Sequence, residues 1–326
     1  MTTHTETSTD LLRIDAARET ERIVASIRAT VFHQLKRKGA VIGVSGGIDS
    51  AVVAYLCTRA FGKDRVLALF MPETDSSPDS LRLGRMVAEA LEIRSVVEDI
   101  SPILRGARCY ERRDEAIREV VPEYSGSDKC KIVLPNLVDA DRYSLFSVVV
   151  RSPDGQTRKT RLTATASQGV VAATNFKQRV RKMLEYYYAD LFQYAVAGTP
   201  NRLEYDLGFF VKNGDGAADL KPIAHLYKSQ VYEIATYLGV PAEIQTRVPT
   251  TDTYSLEQTQ EEFYFSLPLH KMDLCLFGKN NRMAAADVAA VAGLEPSQVE
   301  RVYALIDSRR RAAQYLHASA EPLETH

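Results

Sequence analysis

The sequence has no tryptophan, 4 cysteines and 6 histidines in 326 residues. Cys57, Cys109, Cys130 and Cys275 lie far apart and form no C-x-x-C pair, which excludes a zinc clip or a paired redox centre and leaves buried free thiols. No histidine falls in an H-E-x-x-H or other ligand spacing, so none is assigned a metal or a nucleophilic role. No apolar run approaches the roughly 18 residues of a membrane span. The opening MTTHTETSTD also lacks the basic start and apolar centre of a secretory signal. The expectation is a soluble, cytoplasmic protein with no membrane partner. Neither sign of charge dominates: 41 Lys and Arg against 42 Asp and Glu give a net charge of −1, which argues against a nucleic-acid partner held by global charge. What is plentiful is apolar surface, 45% of residues, enough for the core of one large domain or of a domain with a smaller appendage.

The apolar residues alternate in kind along the chain. Leu11 to Leu35 recur at helical spacing, Ala40 to Val44 form a short continuous apolar run, and Ser45-Gly46-Gly47 breaks it before a helix from Ser50 to Phe61. Val66 to Met71, Asp79 to Leu91 and Ser95 to Ile100 repeat the order as strand, helix, strand. The fold class that follows is α/β, a doubly wound and mostly parallel sheet. Between about Cys130 and Ala173 the pattern changes. Tyr143 to Arg151 and Thr157 to Ala164 are strand-like and flank the turn Ser152-Pro153-Asp154-Gly155, which predicts an inserted β-hairpin. Helical spacing returns over Asn175 to Tyr188, and Tyr194 to Ala197 reads as a core strand. A long Gly- and Asp-containing loop then spans Gly198 to Pro222. Helices are expected at His225 to Leu238, at Leu256 to Phe265, and from Ala284 to Gln314 with a break at Gly293. The run Tyr186-Tyr187-Tyr188 reads as packing, because consecutive helical positions point in different directions.

The strongest chemical signal is Val41 to Ser50, VIGVSGGIDS. Its glycines let the backbone approach an anion, and the helix that follows presents unpaired amides to it. Neither G-x-x-x-x-G-K-[ST] nor a strand-following G-x-G-x-x-G is present. Ser45 and Ser50 add hydroxyls for phosphate oxygens, and Asp49 adds a carboxylate for the magnesium that accompanies them.

This loop resembles the SGGxDS signature of the N-type ATP pyrophosphatases, which cleave ATP between the α and β phosphates to adenylylate a substrate oxygen. Further blocks look like ammonia-dependent NAD synthetase: Asn175-Phe176-Lys177-Gln178-Arg179, Gly198 to Glu204, Gly208 to Asp219, Lys221-Pro222-Ile223 with Leu226-Tyr227-Lys228, and Val248 to Asp252. The resemblance runs from about Ile14 to Gly278, apart from the hairpin. It divides the chain into a polar leader (1–10), a synthetase domain (11–278, inserted at about 130–173) and a helical tail (279–326) packed on that domain. By the same resemblance Gly43, Val44, Ser45, Gly46, Gly47, Ile48, Asp49 and Ser50 form the pyrophosphate loop of the ATP site. Asp49 and Glu204 hold magnesium, and Thr199, Lys228 and Thr250 contact ATP. Arg179, Lys212 and Asp219 contact deamido-NAD. A lysine at 228 suits the charge developing on departing pyrophosphate, which makes it catalytic, and Asp219 is the candidate that orients or deprotonates the incoming nitrogen. The remaining helix cations Lys177, Arg181 and Lys182 read as a wet face. For Asp215 a role in shaping the turn and a role in the site both stand.

The resemblance implies that deamido-NAD, ATP and ammonia are converted to NAD, AMP and pyrophosphate by a homodimer with no glutaminase part, the ammonia being free or supplied by a separate protein. Arg202-Leu203 stand where the family has Lys-Ser, Phe70 where some relatives have arginine, and the family's carboxyl-terminal His-Lys pair has no clear copy; Arg309 to Arg311 lie in the corresponding tail and are not assigned. An adenylylating amide synthetase for another carboxylic acid, or a non-catalytic ATP sensor, are the alternative readings.

Overall fold

The computed structural model of the chain describes residues 11–133, 146–251, 253–265 and 267–322. Helix α1 (Ala16–Arg28) is capped by the Asp15 carboxylate, which accepts from Arg18 N, and a wider π turn over Ala29–Gln34 continues it. The expected alternation follows in β1 (Ala40–Gly43), α2 (Ile48–Phe61), β2 (Val66–Phe70), α3 (Pro78–Ala90) and β3 (Arg94–Val97). Two helices come next that spacing did not indicate, α4 (Ser101–Gly106) and α5 (Cys109–Arg118). Helix α5 reads CYERRDEAIR and buries Arg113 and Asp114 beside Ala116 and Ile117, so its inner face carries no apolar stripe to detect.

The inserted hairpin is present as β5 (Ser147–Arg151) and β6 (Thr157–Arg161), turning through Gly155 at φ +88°, with β4 (Lys129–Val133) added antiparallel to β5. The expected start of that hairpin at Tyr143 lies outside the described residues, as does the leader at 1–10. Helix α6 (Ala164–Phe192) starts well before the expected Asn175, because the Thr163 hydroxyl caps it by accepting from Ala166 N at 3.0 Å and its first turns pack Ala166 and Val170 under the inserted sheet.

The second half contains β7 (Ala195–Val196), α7 (Arg202–Leu207), α8 (Lys228–Leu238), α9 (Ala242–Thr246), α10 (Leu269–Asn280), α11 (Ala285–Ala292) and α12 (Pro296–His317). The helix expected over Leu256 to Phe265 is only a π turn at Glu261–Phe265. Helix α10 was not anticipated: it buries Leu269, Met272, Leu274, Cys275 and Leu276, which spread around the helix instead of forming a stripe. The break at Gly293, φ +60°, is as expected. No helix among the described residues is long and apolar enough to cross a membrane, and all four cysteines are buried and free.

The central sheet has the order β3-β2-β1-β7, all parallel, with Val41 opposite Leu67 on one side and Val196 on the other. Alternate residues face opposite layers. Ile42, Ala68 and Phe70 pack against α1, α2, α3 and α8, whereas Val41, Leu67 and Leu69 pack against α4 and α6. A second core joins α7, α10, α11 and α12. The doubly wound class is thus as expected. Connections leave β1 for β2 on one side while β7 lies on the other, and the crevice at the carboxyl ends of β1 and β7 is where an open sheet of this kind takes its ligand.

Candidate active site

The glycine loop spans β1 and α2. Gly46 has φ +75°, and a β-carbon there would lie 2.6 Å from Ser80 O, so the turn requires glycine for the chain's own packing. Gly47 is different: its φ is −86°, and an added β-carbon would meet only Ser45 Oγ, at 3.4 Å. Nothing within the chain demands glycine at 47, and the space beside it opens at the N-terminus of α2, which has no side-chain cap. Ser50 Oγ ties the loop by accepting from Ser45 N at 3.2 Å and donating to Gly47 O at 3.0 Å. Gly47 N donates to Ser45 Oγ at 3.3 Å, and the result is a cradle suited to an anion, with an open wall at a helix N-terminus.

Asp49 and Glu204, 155 positions apart by number (204 − 49), are brought together by one residue. Asn201 is the N-cap of α7. Its Oδ1 accepts from Glu204 N at 3.2 Å while its own N donates to Glu204 Oε2 at 3.1 Å, a reciprocal capping box. Its Nδ2 donates to Asp49 Oδ1 at 3.1 Å, so the cap of one helix bridges both carboxylates. Lys228, the first residue of α8, is 2% exposed and pairs with Asp49 Oδ2. The α8 amides of Lys228 and Ser229 donate to Asp273 of α10 at 3.1 and 2.8 Å. Gln260 Nε2 donates to Glu204 Oε1 at 3.0 Å.

Electrostatics follow from this crowding. Burial, and then the charge of Asp49, push the Glu204 carboxyl up to about 8. Burial lowers the Lys228 ammonium, but Asp49 and Glu204 outweigh it and hold the lysine above its ordinary value. Two half-buried carboxyl groups set side by side, one of them pushed up by its surroundings, suit a hard divalent ion. Such an ion commonly takes one or two carboxylates and completes its shell with water and substrate phosphates. Among the described residues no cluster of three or more His, Cys, Asp or Glu makes an all-protein metal cage.

A cavity of about 500 Å³ opens over these groups. Gly43, Val44, Ser45, Gly47, Ile48, Asp49, Ser50, Thr199, Glu204, Lys228 and Thr250 line it, so every expected ATP and magnesium residue except Gly46 faces one space. Arg179, Lys212 and Asp219 are not among its lining residues. Arg179 Nε donates to Lys212 O at 3.2 Å. Lys212 Nζ donates to Tyr315 O and Ala318 O in the tail at 2.7 and 2.8 Å. Asp219 accepts from Val196 N at 2.8 Å and from Tyr186 OH at 3.3 Å. The three lie on the outer side of α6 and at the carboxyl end of β7.

Two expectations about α6 are corrected. Lys177 and Lys182 are not a wet face: they are 1% and 5% exposed. Lys177 Nζ pairs with Glu73 and Asp75 at 2.9 and 2.7 Å, and Lys182 Nζ pairs with Glu185 at 2.5 Å in the cavity wall. For Lys177 the counter-charges come from the loop after β2, which a charge pattern on α6 cannot reveal; for Lys182 the partner Glu185 lies on α6 itself, and only the fold shows that the pair is buried. Asp215, for which both readings stood, is half-buried in the cavity wall; its Oδ1 accepts from Val211 N at 2.7 Å, which shapes the turn, and its desolvation pushes its carboxyl up. Reading the sequence missed Asn201 and Gln260 as site residues. The N-x-x-E spacing of Asn201 and Glu204 was the available signal for the first; Gln260 had none.

A glycine cradle for phosphate, opposed by a half-buried carboxylate pair and a buried lysine at the carboxyl edge of a parallel sheet, defines an α/β nucleotide-binding protein. The sequence pattern of the NAD synthase family matches residues 19–122 and 149–313. The chain is 58% identical over 308 residues to the NH(3)-dependent NAD(+) synthetase of Mesorhizobium japonicum, covering 94% of this chain and 97% of that one. It is 58% identical over 310 residues to the protein of the same name from Rhizobium meliloti, covering 95% and 92%. A solved NH3-dependent NAD synthetase from Campylobacter jejuni superposes with a TM-score of 0.61 at 25% identity, covering 95% of this chain and all of that one. The chain belongs to the NAD synthase family.

Proposed function

We propose that this chain makes NAD from deamido-NAD, ATP and ammonia, and that it does so at the cavity over the glycine loop. The nicotinate carboxylate attacks the α-phosphorus of ATP, the bond to the β-phosphate breaks, and pyrophosphate leaves. Ammonia then attacks the carbonyl carbon of the acyl adenylate, the bond to AMP breaks, and a proton is lost to give the amide. A carboxylate resists nucleophiles because of its charge and because oxide leaves poorly; AMP removes both obstacles.

The chain's share is binding, charge neutralisation and exclusion of water. The amides of Ile48 and Asp49 and the hydroxyls of Ser45 and Ser50 hold the pyrophosphate end, with Thr199 and Thr250 further along the nucleotide. Lys228 stays charged because its two carboxylate neighbours outweigh burial, and it neutralises the leaving pyrophosphate. Asp49 and Glu204 would hold magnesium, which supplies charge neutralisation to the phosphates. Binding it requires Glu204 to release the proton that burial otherwise imposes.

Arg179, Lys212 and Asp219 are assigned to deamido-NAD from outside the cavity, with Asp219 the candidate that orients or deprotonates the incoming nitrogen. Their position on the outer side of α6 goes with an exposed apolar row on the same helix. Met183, Tyr187 and Leu191 are 54%, 58% and 57% exposed and recur every fourth residue in line with Arg179. A homodimer joined along this row would close the dinucleotide site. Ammonia is taken free, and four free thiols suit a reducing, cytoplasmic setting.

The observation that carries this reading is the bridge Asp49–Asn201–Glu204 beside Lys228, at the mouth of an uncapped helix. Incubation of the purified chain with ATP, magnesium, ammonium and deamido-NAD tests it: AMP, pyrophosphate and NAD should appear in equal amounts. Pyrophosphate without NAD would point to a different acid, and neither product to a nucleotide sensor. Glu204→Gln should lower kcat/KM at least about 100-fold, as expected for loss of a group on the metal that neutralises phosphate charge. Its melting temperature should hold within a few degrees, because the glutamine oxygen can still accept from Asn201 N and the Gln260 amide can turn to accept from the new NH2.

A further inference from the structure

The segment after α9 folds back on itself beside the cavity. Gln260 N donates to Pro249 O at 3.0 Å, Thr251 N donates to Gln258 O at 3.1 Å, and Thr250 bridges Thr259. This small hairpin carries Thr250 on the cavity wall and Gln260 against Glu204. Its own hydrogen bonds are few, and a two-stranded ribbon of this size is marginal in isolation.

Two separate structures grip it from behind. Lys177, in the middle of α6, reaches Thr253 O at 2.7 Å while its ammonium is fixed by Glu73 and Asp75 on the loop after β2. Asp75 in turn pairs with Arg113 of α5 at 2.6 Å. One buried ammonium therefore joins the two loops that flank the cavity, the one after β2 and the one after α9. The second grip is the inserted sheet. Cys130 N donates to Ser255 Oγ at 2.9 Å, Leu256 N donates to Cys130 O at 3.1 Å, Gln258 Nε2 donates to Ile132 O, and Lys131 Nζ pairs with Glu262 at 2.7 Å. Tyr254 and Phe263 add apolar packing against the same sheet. Strand β4, which makes all four of these polar contacts, lies in the stretch 123–148 that the family pattern passes over.

We propose that β4 and Lys177 act as a two-point brace that sets the hairpin of Thr250 and Gln260 in its nucleotide-binding position before ATP arrives, with Lys177 as a positioning residue. The proposal rests on the reading of Thr250 as an ATP contact. Lys177 is not among the residues that line the cavity, whereas Thr253, whose carbonyl it holds, is. Its effect therefore reaches ATP only through the hairpin.

The test compares Lys177→Met, Lys177→Arg, Gln258→Met and Thr250→Val in the full chain. It measures KM for ATP, kcat for NAD formation, and amide exchange at Thr251 and Gln260 without nucleotide. Lys177→Met should raise KM for ATP about tenfold or more, the scale of one lost ordering contact, and should speed exchange at both amides. kcat at saturating ATP should fall much less. Lys177→Arg should restore part of both. Gln258→Met releases the other grip without disturbing the buried charges, so it should move KM and exchange the same way even where Lys177→Met fails to fold. Unchanged exchange in folded Lys177→Met and in Gln258→Met overturns the brace. A raised KM with unchanged exchange overturns it too, since the lysine would then act some other way. Faster exchange in the brace variants together with an unaltered KM in Thr250→Val supports the brace and removes the ATP role of Thr250.

Discussion

Two adjacent glycines separate packing from binding. At Gly46 the positive φ and the 2.6 Å approach to Ser80 O make Gly46→Ala costly, by about 1–3 kcal/mol of backbone strain before any clash is counted. At Gly47 the backbone is ordinary and the space open, so Gly47→Ala should leave stability within about 1 kcal/mol. The added methyl would stand where phosphate approaches, so ATP affinity should fall about tenfold or more. Thermal unfolding and ATP titration of both variants check the contrast; equal melting temperatures would undo it. The sequence showed the cradle clearly, because SGGxDS concentrates its chemistry in a few consecutive residues. It did not show that the chain's own packing requires glycine at 46 and not at 47, since that depends on Ser80, which lies on α3.

At the level of elements, site side chains are placed by helix ends. Asn201 caps α7 and thereby positions Glu204; Asp273 of α10 caps α8 and thereby positions Lys228. Burial pushes the Asp273 carboxyl up to about 6 from its ordinary 3.8. The folded protein therefore keeps this proton over a range where the unfolded chain has released it, and this group's contribution to stability is present below about pH 4 and lost as pH rises to about 6. Asp273→Asn should flatten the fall in stability between those two pH values, at the expense of about 1 kcal/mol for the weakened cap. Denaturant midpoints across that range measure it. The short caps were readable in part, as N-x-x-E was in plain sight. Helix α10 was not: its apolar residues surround it, and no stripe marks a helix buried on most sides. The same limit hid α5, whose inner face is charged.

For the whole molecule, the cavity gathers the carboxyl ends of β1, β2 and β7 with the starts of α2, α7 and α8, and the inserted sheet flanks it. Arg179, Lys212 and Asp219, the residues proposed to hold deamido-NAD, stand outside, and Arg179 is in line with the exposed row of Met183, Tyr187 and Leu191. Tyr187→Asp should convert a dimer to a monomer in sedimentation, since a charge in an apolar seam is costly unless paired. KM for deamido-NAD should rise more than KM for ATP. A wild-type monomer would remove the shared-site reading.

The sequence by itself determined the alternating α/β order, the phosphate loop and the family's blocks, because each is written in neighbouring residues. Only the tertiary structure decided which distant groups meet: Asp49 with Glu204 through Asn201, Lys177 with two loops, and β4 with the hairpin of Thr250. Such pairings turn on burial and on partners far along the chain, and local spacing carries neither.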